Sequence, residues 1–289
     1  MEKKYGIAIS TFSDQETPID RLDAIITSLD SAMNEIYLKN PEIYIIIICD
    51  TCIPEHKEIL DKYPFEIVYN KKNMGISYTK NIGIKKILDN GCEYGFLLDD
   101  DILIKNNQIF DKYIQAMEKT GFHHFSYIID KQDERFTESI NGIKVVNTTF
   151  INGVFLTFSK SLIDEVGYFE ILPYQYGHEH TAFTNKCIRK KLTPYFIDIV
   201  NNDNDIEILN CKCSMNLDDL KVKNNFKVAY NNLSKKIEWN GHPFDPEFYL
   251  TTYPDLKQAG LETYEQALKH YNTYGKYEAR LPNGKYNGQ

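Results

Sequence analysis

Apolar and polar residues alternate along the first hundred residues in blocks typical of strands and helices. An almost unbroken apolar run from Ile43 to Cys49 predicts a buried parallel strand that ends at Asp50. Apolar residues at helical spacing from Leu22 to Met33, behind the capping pair Thr17-Pro18, predict a helix. The same reasoning predicts strands at Lys4 to Ile9, Phe65 to Tyr69 and Tyr94 to Leu98, and a helix at Ser77 to Asp89.

This alternation of strand and helix predicts an α/β fold built on a mostly parallel sheet with flanking helices. In such sheets, ligands bind beyond the carboxyl ends of the strands. Thr11, Asp50 and the run Asp99 to Asp101 all fall at predicted carboxyl ends. We therefore expect these side chains to meet in one crevice.

The middle of the chain is less regular, and its composition changes near Asn240. Aromatic residues and prolines crowd into the last fifty residues, which predicts a domain of residues 1–239 and a small helical module of residues 240–289. In the middle region we predict strands at Phe150 to Phe158 and Pro194 to Val200, and helices at Ser161 to Val166 and Glu179 to Lys190.

Composition narrows the class of protein. A net charge of −8 and a pI near 5.5 argue against a sequence-independent nucleic-acid binder, which needs a basic surface. No apolar run is long enough to span a bilayer, and the N-terminal residues lack the pattern of a signal peptide. The expectation is a cytoplasmic protein without a transmembrane segment, in which the cysteines are buried or free thiols.

Three consecutive aspartates, Asp99 to Asp101, directly follow the predicted strand Tyr94 to Leu98. Carboxylates this close repel one another and need solvent or a cation. Taken alone, the triplet fits either a solvated turn or a site for a hard divalent cation, which carboxylates and substrate phosphates hold together.

Six segments of the chain, in order, resemble the family 2 glycosyltransferases with the GT-A fold. They are IAISTFS, the strand that ends in CD, NKKNMGISYTKNIGI, YGFLLDDDI, FINGVFLTFSKSLIDEVGYFE and YGHEHTAFTNKCIRK. The resemblance covers residues 5 to about 200. It implies a Rossmann-like sheet that binds a nucleotide-sugar donor and a divalent metal, Mn²⁺ or Mg²⁺.

The resemblance also implies roles for individual residues. Asp99 and Asp101 match the Asp-x-Asp element that binds the ribose and the metal on the donor diphosphate, and Asp100 lies between them as a further donor-binding residue. Asp50 matches the residue that contacts the base or ribose, and Thr11 matches the first-strand position next to the nucleotide. The segment flanking the diphosphate supplies Asn73, Gly75, Lys80 and Asn81, and Lys80 stands where the family often has arginine.

The acceptor side of the site is implied by GHEH, residues 177–180. The family usually has a Glu-Asp pair here with a carboxylate as general base, whereas this chain has Glu179 followed by His180. We expect Glu179 to be the base. His180 is an alternative base or a metal ligand, because imidazole can serve as either, and His178 is a third candidate.

Together these features predict a metal-dependent glycosyltransferase. It would move a sugar from a nucleotide-sugar donor to a hydroxyl of a glycan or glycoconjugate with inversion, and UDP is the nucleotide that the family implies. Two alternatives are a catalytically inactive binding homologue and a sugar nucleotidyltransferase. The C-terminal segments FDPEFYLTTYPDLKQAG and ALKHYNTYGKYEAR resemble a short helical repeat found in surface-polysaccharide proteins, which implies an accessory module.

Overall fold

The structure of the chain is a computed structural model. It describes residues 4–15, 17, 19–128, 134–148, 153–171, 179–200, 205–209, 245–271 and 274. The chain divides into two units, residues Met1–Met215 and Asn216–Gln289. The boundary predicted near Asn240 lies outside the described residues and stays a prediction. The four described cysteines are free thiols, as predicted, and Cys211 and Cys213 lie outside the described residues.

The first unit is an α/β fold around a five-stranded sheet, as the sequence predicts. Its strand order is β3-β2-β1-β4-β8, in which the first four strands are parallel and β8 runs antiparallel to β4. The strands are β1 (Tyr5–Thr11), β2 (Tyr44–Cys49), β3 (Glu66–Tyr69), β4 (Tyr94–Asp99) and β8 (Phe155–Ser159). The helices that connect or flank them are α1 (Ile19–Ala32), α2 (Pro54–Leu60), α3 (Ile76–Asp89), α4 (Gln108–Thr120), α5 (Lys160–Val166) and α6 (Glu179–Arg189).

Smaller strands complete the unit. β5 (Ile102–Ile104) pairs with β10 (Ile206–Ile208), and β6 (Glu134–Ile140), β7 (Ile143–Thr148) and β9 (Ile197–Ile199) form an antiparallel sheet. The strand predicted from Phe150 is shorter than expected. It begins at Phe155, and Gly153 precedes it in a bend rather than lying inside it.

Hydrophobic side chains cover both faces of the main sheet, because successive residues of a strand point to opposite sides. Ile7 and Ile9 of β1 belong to the core that includes residues of α1 and α4, whereas Ala8 belongs to the core that includes residues of α3 and α5. This double coverage explains why the β2 sequence is apolar at nearly every position. Among the described residues, no helix is long and apolar enough to cross a membrane.

The described part of the second unit contains three short helices, α7 (Pro246–Thr252), α8 (Pro254–Gln258) and α9 (Tyr264–His270). Tyr249 is fully buried among Leu250, Leu256 and Tyr271. Its aromatic ring therefore serves as core of this unit. The predicted accessory role and the resemblance to a repeat stay predictions.

Candidate active site

Strand register places the predicted site residues at one edge of the sheet. Ser10 lies opposite Asp99, and Thr11 lies opposite Cys49, the residue before Asp50. Because β1, β2 and β4 are parallel neighbours, their carboxyl ends are adjacent. The convergence of Thr11, Asp50 and the aspartate triplet on one edge thus follows from the topology.

Asp100, the middle aspartate, is turned into the protein. It is 1% exposed, and its two carboxylate oxygens are used separately. Oδ2 accepts a hydrogen bond from the hydroxyl of Thr11, and Oδ1 forms an ion pair with the guanidinium of Arg21 on α1. Both oxygens are therefore occupied by protein groups, an arrangement that favours a structural role over the predicted contact with the donor.

Asp99 faces Lys80, which projects from α3 and is 1% exposed. Asp99 Oδ1 lies 3.3 Å from Lys80 Nζ, which donates its hydrogen bond to the carbonyl oxygen of Gly153 at 2.5 Å. Burial raises the pKa of Asp99, and the charges of Asp100 and Glu179 add to this rise while Lys80 opposes it. Lys80 and Asp99 are thus neighbours at this edge of the sheet.

Asp101 closes the turn into β5. Burial, followed by the charges of Asp99 and Asp100, raises the pKa of its carboxyl to about 7, although Arg21 opposes this shift. Its Oδ1 is enclosed and has no hydrogen-bond partner among the described residues, and the same is true of Asp99 Oδ1. Enclosed carboxylate oxygens that accept no hydrogen bond are costly to keep in a folded protein, and only Asp99 Oδ1 has the Lys80 ammonium nearby to offset this cost.

These two oxygens fit a divalent cation, because hard cations take carboxylate oxygen ligands. Within the described ranges, no three His, Cys, Asp or Glu side chains gather closely enough to hold a metal ion by themselves. A cation here would complete its shell with phosphate and water oxygens, which is typical of Mg²⁺ sites that bind substrate phosphates.

Asp50 organises the loop that leads into α3. Its Oδ1 accepts hydrogen bonds from Asn70 Nδ2 (2.9 Å) and the Met74 N–H (2.8 Å), and its Oδ2 accepts from the Gly75 N–H (2.8 Å). Asn73 Oδ1 also accepts from the Gly75 N–H, at 3.0 Å. Gly75 has φ of +88°, a left-handed conformation that glycine adopts without strain. Asp50, Asn73 and Gly75 are thus brought together as one loop beside the aspartate edge.

Asn81 is directed elsewhere. Its Nδ2 donates to the carbonyl of Phe169 and its Oδ1 accepts from the Phe169 N–H, each at 2.9 Å. The amide therefore ties α3 to the segment after α5. A contact between Asn81 and the donor stays a prediction.

Glu179 and His180 begin α6 and form a pair. His180 Nδ1 lies 2.9 Å from Glu179 Oε1, and the side chain of Glu179 is 4% exposed against 20% for His180. Burial by itself would raise the pKa of Glu179, but the charge and hydrogen bond of His180, with Lys80, together lower it to about 2. Glu179 is thus ionised at neutral pH. His178 lies outside the described residues.

Gly153 links the two sides of the site. A Cβ atom at this position would lie 2.9 Å from His180 Nδ1 and 3.4 Å from Lys80 Nζ. The absence of a side chain allows the Glu179–His180 pair to approach Lys80 and Asp99. Donor-side and acceptor-side candidates therefore form one continuous cluster.

Sequence patterns did not predict that Arg21 and His56 belong to this cluster, or that Gly153 allows the close approach. His56 on α2 is fully buried, and burial with the charge of Arg21 lowers its pKa to about 4. A histidine that is 7 residues beyond a strand end carries no local sign of a site, so only the folded chain reveals it.

Comparison with known proteins gives a consistent result. No protein-family model matches the sequence. Over 211 residues the chain is 36% identical to an uncharacterized glycosyltransferase of Acanthamoeba polyphaga mimivirus. The matched region covers 71% of this chain and 81% of that protein.

Two solved structures match the chain at low sequence identity. S. aureus TarS matches with a TM-score of 0.54 and 11% identity, over 82% of this chain and 40% of TarS. The mannosyltransferase PcManGT from Pyrobaculum calidifontis, solved with GDP-Man and Mn²⁺, matches with a TM-score of 0.45 and 12% identity, over 61% of this chain and 51% of PcManGT. The chain spans about half or less of the length of these two proteins. From its 36% identity to the viral glycosyltransferase and its GT-A-like α/β fold, the chain belongs to the glycosyltransferases.

Proposed function

We propose that this chain transfers a sugar from a nucleotide-sugar donor to a hydroxyl of a glycan or glycoconjugate, with inversion and with help from a divalent cation. The donor is UDP-linked in this proposal, as the family resemblance implies. The single observation that carries the proposal is the pair of enclosed oxygens, Asp99 Oδ1 and Asp101 Oδ1, which accept no hydrogen bond from the described residues at the carboxyl edge of the sheet.

Asp101 and Asp99 are the residues that would hold Mn²⁺ or Mg²⁺. When bound, the cation supplies positive charge that offsets the charge developing on the departing nucleoside diphosphate. Lys80 adds a fixed ammonium 3.3 Å from Asp99, so the carboxylate edge is partly neutralised before any donor arrives. The Asp50 loop lies at the same edge and shapes the approach to α3.

On the acceptor side, the start of α6 supplies the proton acceptor. The acceptor hydroxyl attacks the anomeric carbon, its proton moves to a base, and the bond from that carbon to the diphosphate oxygen breaks. Glu179 is the base in this proposal, because its carboxylate is ionised at neutral pH and lies 2.9 Å from His180 Nδ1 at the start of α6. His180 is the alternative base. The role of His180 as a metal ligand stays a competing prediction.

A thermal-shift screen tests the proposal. UDP, GDP, CDP and their sugar conjugates are added with Mn²⁺, with Mg²⁺ or with EDTA. A ligand present at 100 times its dissociation constant stabilises the folded state by about 2.7 kcal/mol. We expect at least one nucleotide to raise the melting temperature with metal and not with EDTA, and Asp101→Asn to remove the effect. A protein that no nucleotide stabilises with either metal would contradict the proposal.

Product analysis separates the proposed transfer from the alternatives. A glycosyltransferase releases a nucleoside diphosphate from its nucleotide-sugar, even when water is a slow acceptor. A nucleotidyltransferase would instead consume a nucleoside triphosphate with a sugar phosphate and release pyrophosphate. An inactive binding homologue would bind the donor and release neither product.

A further inference from the structure

We infer that Arg21 is a positioning residue of the metal site. Its guanidinium pairs with the middle aspartate, Asp100, and so leaves Asp101 available to the cation. The inference rests on the proposed function. It divides the three aspartates between two tasks: Asp100 holds the turn, whereas Asp101, together with Asp99 beside Lys80, is left for the metal.

The first observation is how Asp100 is bound. Arg21 reaches it from α1, 79 residues earlier in the chain, and Thr11 reaches it from the end of β1. With 1% exposure and one protein donor on each oxygen, Asp100 is not available to a ligand. Two elements of the fold therefore fix the middle of the turn.

The second observation is a hydrogen-bonded chain behind Thr11. Thr11 gives its single hydroxyl proton to Asp100, so its contact with His56 Nε2 at 3.3 Å requires that this nitrogen donates. The neutral ring then accepts at Nδ1 from the Ser13 hydroxyl, 2.7 Å away, and Ser13 Oγ in turn accepts from the Ile53 N–H at 3.1 Å. Each group has one compatible role, so the chain holds Thr11 in a single orientation.

The third observation concerns charge. Arg21 neutralises Asp100 and Lys80 neutralises Asp99, whereas Asp101 Oδ1 is enclosed with no hydrogen-bond partner among the described residues. Arg21 already acts electrostatically on Asp101 as well. If Asp100 lost its charge, the Arg21 guanidinium would turn to the next carboxylate and compete with the cation for it.

The test measures Mn²⁺ affinity, by electron paramagnetic resonance of free Mn²⁺ in the presence of UDP and, in parallel, of GDP. Asp100→Asn keeps the side-chain shape and removes the Asp100 charge with which Arg21 pairs. Groups that orient a metal ligand typically change metal affinity by about 10–100-fold, and we expect a loss in that range. The double variant Arg21→Met with Asp100→Asn removes both charges, so we expect it to recover most of the affinity.

A matched control is the Lys112–Asp205 ion pair, in which a buried aspartate meets a half-exposed lysine in the same unit. Lys112→Met should lower the stability to urea and leave the Mn²⁺ affinity unchanged. If the double variant unfolds, Arg21→Lys provides a folded variant that retains the charge. It should keep Mn²⁺ affinity within about threefold, because Asp100 keeps a cationic partner.

The outcomes are distinguishable. Wild-type Mn²⁺ affinity in Asp100→Asn would overturn the inference. A double variant that binds Mn²⁺ as weakly as Asp100→Asn would also overturn it, because Asp100 would then be a metal ligand itself. If the unmodified protein binds no Mn²⁺ with either nucleotide, or if Asp101→Asn binds it normally, the proposed metal site fails. In those two cases the inference fails with it.

Discussion

Lys80 Nζ lies 3.3 Å from Asp99 Oδ1, and both groups are enclosed where β4 ends beside α3. The ammonium lies within ion-pair range, but its aligned hydrogen bond goes to Gly153 O at 2.5 Å. Asp99 therefore has a counter-ion and still has an oxygen without a hydrogen bond. The Lys80 charge therefore stabilises the Asp99 carboxylate, and one carboxylate oxygen is still able to accept a ligand.

Replacing Lys80 by methionine should destabilise the protein, because Asp99 would lose its counter-ion. The side chain of Asp99 retains 31% exposure, so we expect a modest loss of about 1–3 kcal/mol in the free energy of unfolding. Urea denaturation measures it. The double variant Lys80→Met with Asp99→Asn should recover part of the loss, and an unchanged stability in Lys80→Met would show that the pair contributes nothing.

Asn81→Ala should lower the free energy of unfolding by about 1–3 kcal/mol, because both backbone groups of Phe169 lose their partner. Nucleotide binding should be unchanged. Asn185 is the matched control, since its amide nitrogen is buried without a partner among the described residues; Asn185→Ala should cost less. Weaker nucleotide binding in Asn81→Ala would instead support the donor contact predicted from the sequence.

Glu179→Gln and His180→Gln should each slow sugar transfer by about 10²–10⁴-fold while nucleotide binding remains intact, because a general base acts on the reaction and not on donor affinity. Release of nucleoside diphosphate measures transfer, and the thermal shift measures binding. If His180→Gln weakens metal-dependent nucleotide binding, the imidazole is a metal ligand. Full activity in both variants would remove this pair from the mechanism.

Acid should destabilise the protein through His124. Its Nδ1 lies 2.7 Å from Thr157 O and its Nε2 lies 2.7 Å from Thr184 Oγ1, and burial lowers its pKa from 6.5 to about 4. Between these two values the unfolded chain binds a proton that the folded chain does not. The contribution of His124 to stability is therefore full above pH 6.5 and is lost as the pH drops towards 4. His124→Gln should flatten this slope in thermal unfolding; an unchanged slope would contradict the assignment.

A chain truncated after Glu238 should remain folded and keep its metal-dependent nucleotide binding. The reason is that every described residue of the candidate site precedes residue 181, in the first unit. Circular dichroism checks the fold, and the thermal shift checks nucleotide binding. A folded truncated chain that no longer binds any nucleotide would place part of the site in the C-terminal residues.

Much of the framework could be predicted from local patterns. The apolar run of β2 and the alternation of strands and helices predict a parallel sheet, since a strand covered on both faces has to be apolar throughout. Parallel strands then place Thr11, Asp50 and Asp99 at the same edge. Helix α4 was missed although its buried Ile109, Tyr113 and Met117 recur at helical spacing, so its signal was present.

What the tertiary structure alone decided is which partner each polar side chain meets. In the sequence, Asp99, Asp100 and Asp101 are three equal neighbours, but the fold gives Lys80 to the first and Arg21 to the second. It likewise places Asn81 against Phe169, 88 residues away, and Gly153 against His180. Hydrophobic periodicity reports which face of an element is buried. The pairing of charges and hydrogen bonds depends on distances between elements remote in sequence, which no local pattern encodes.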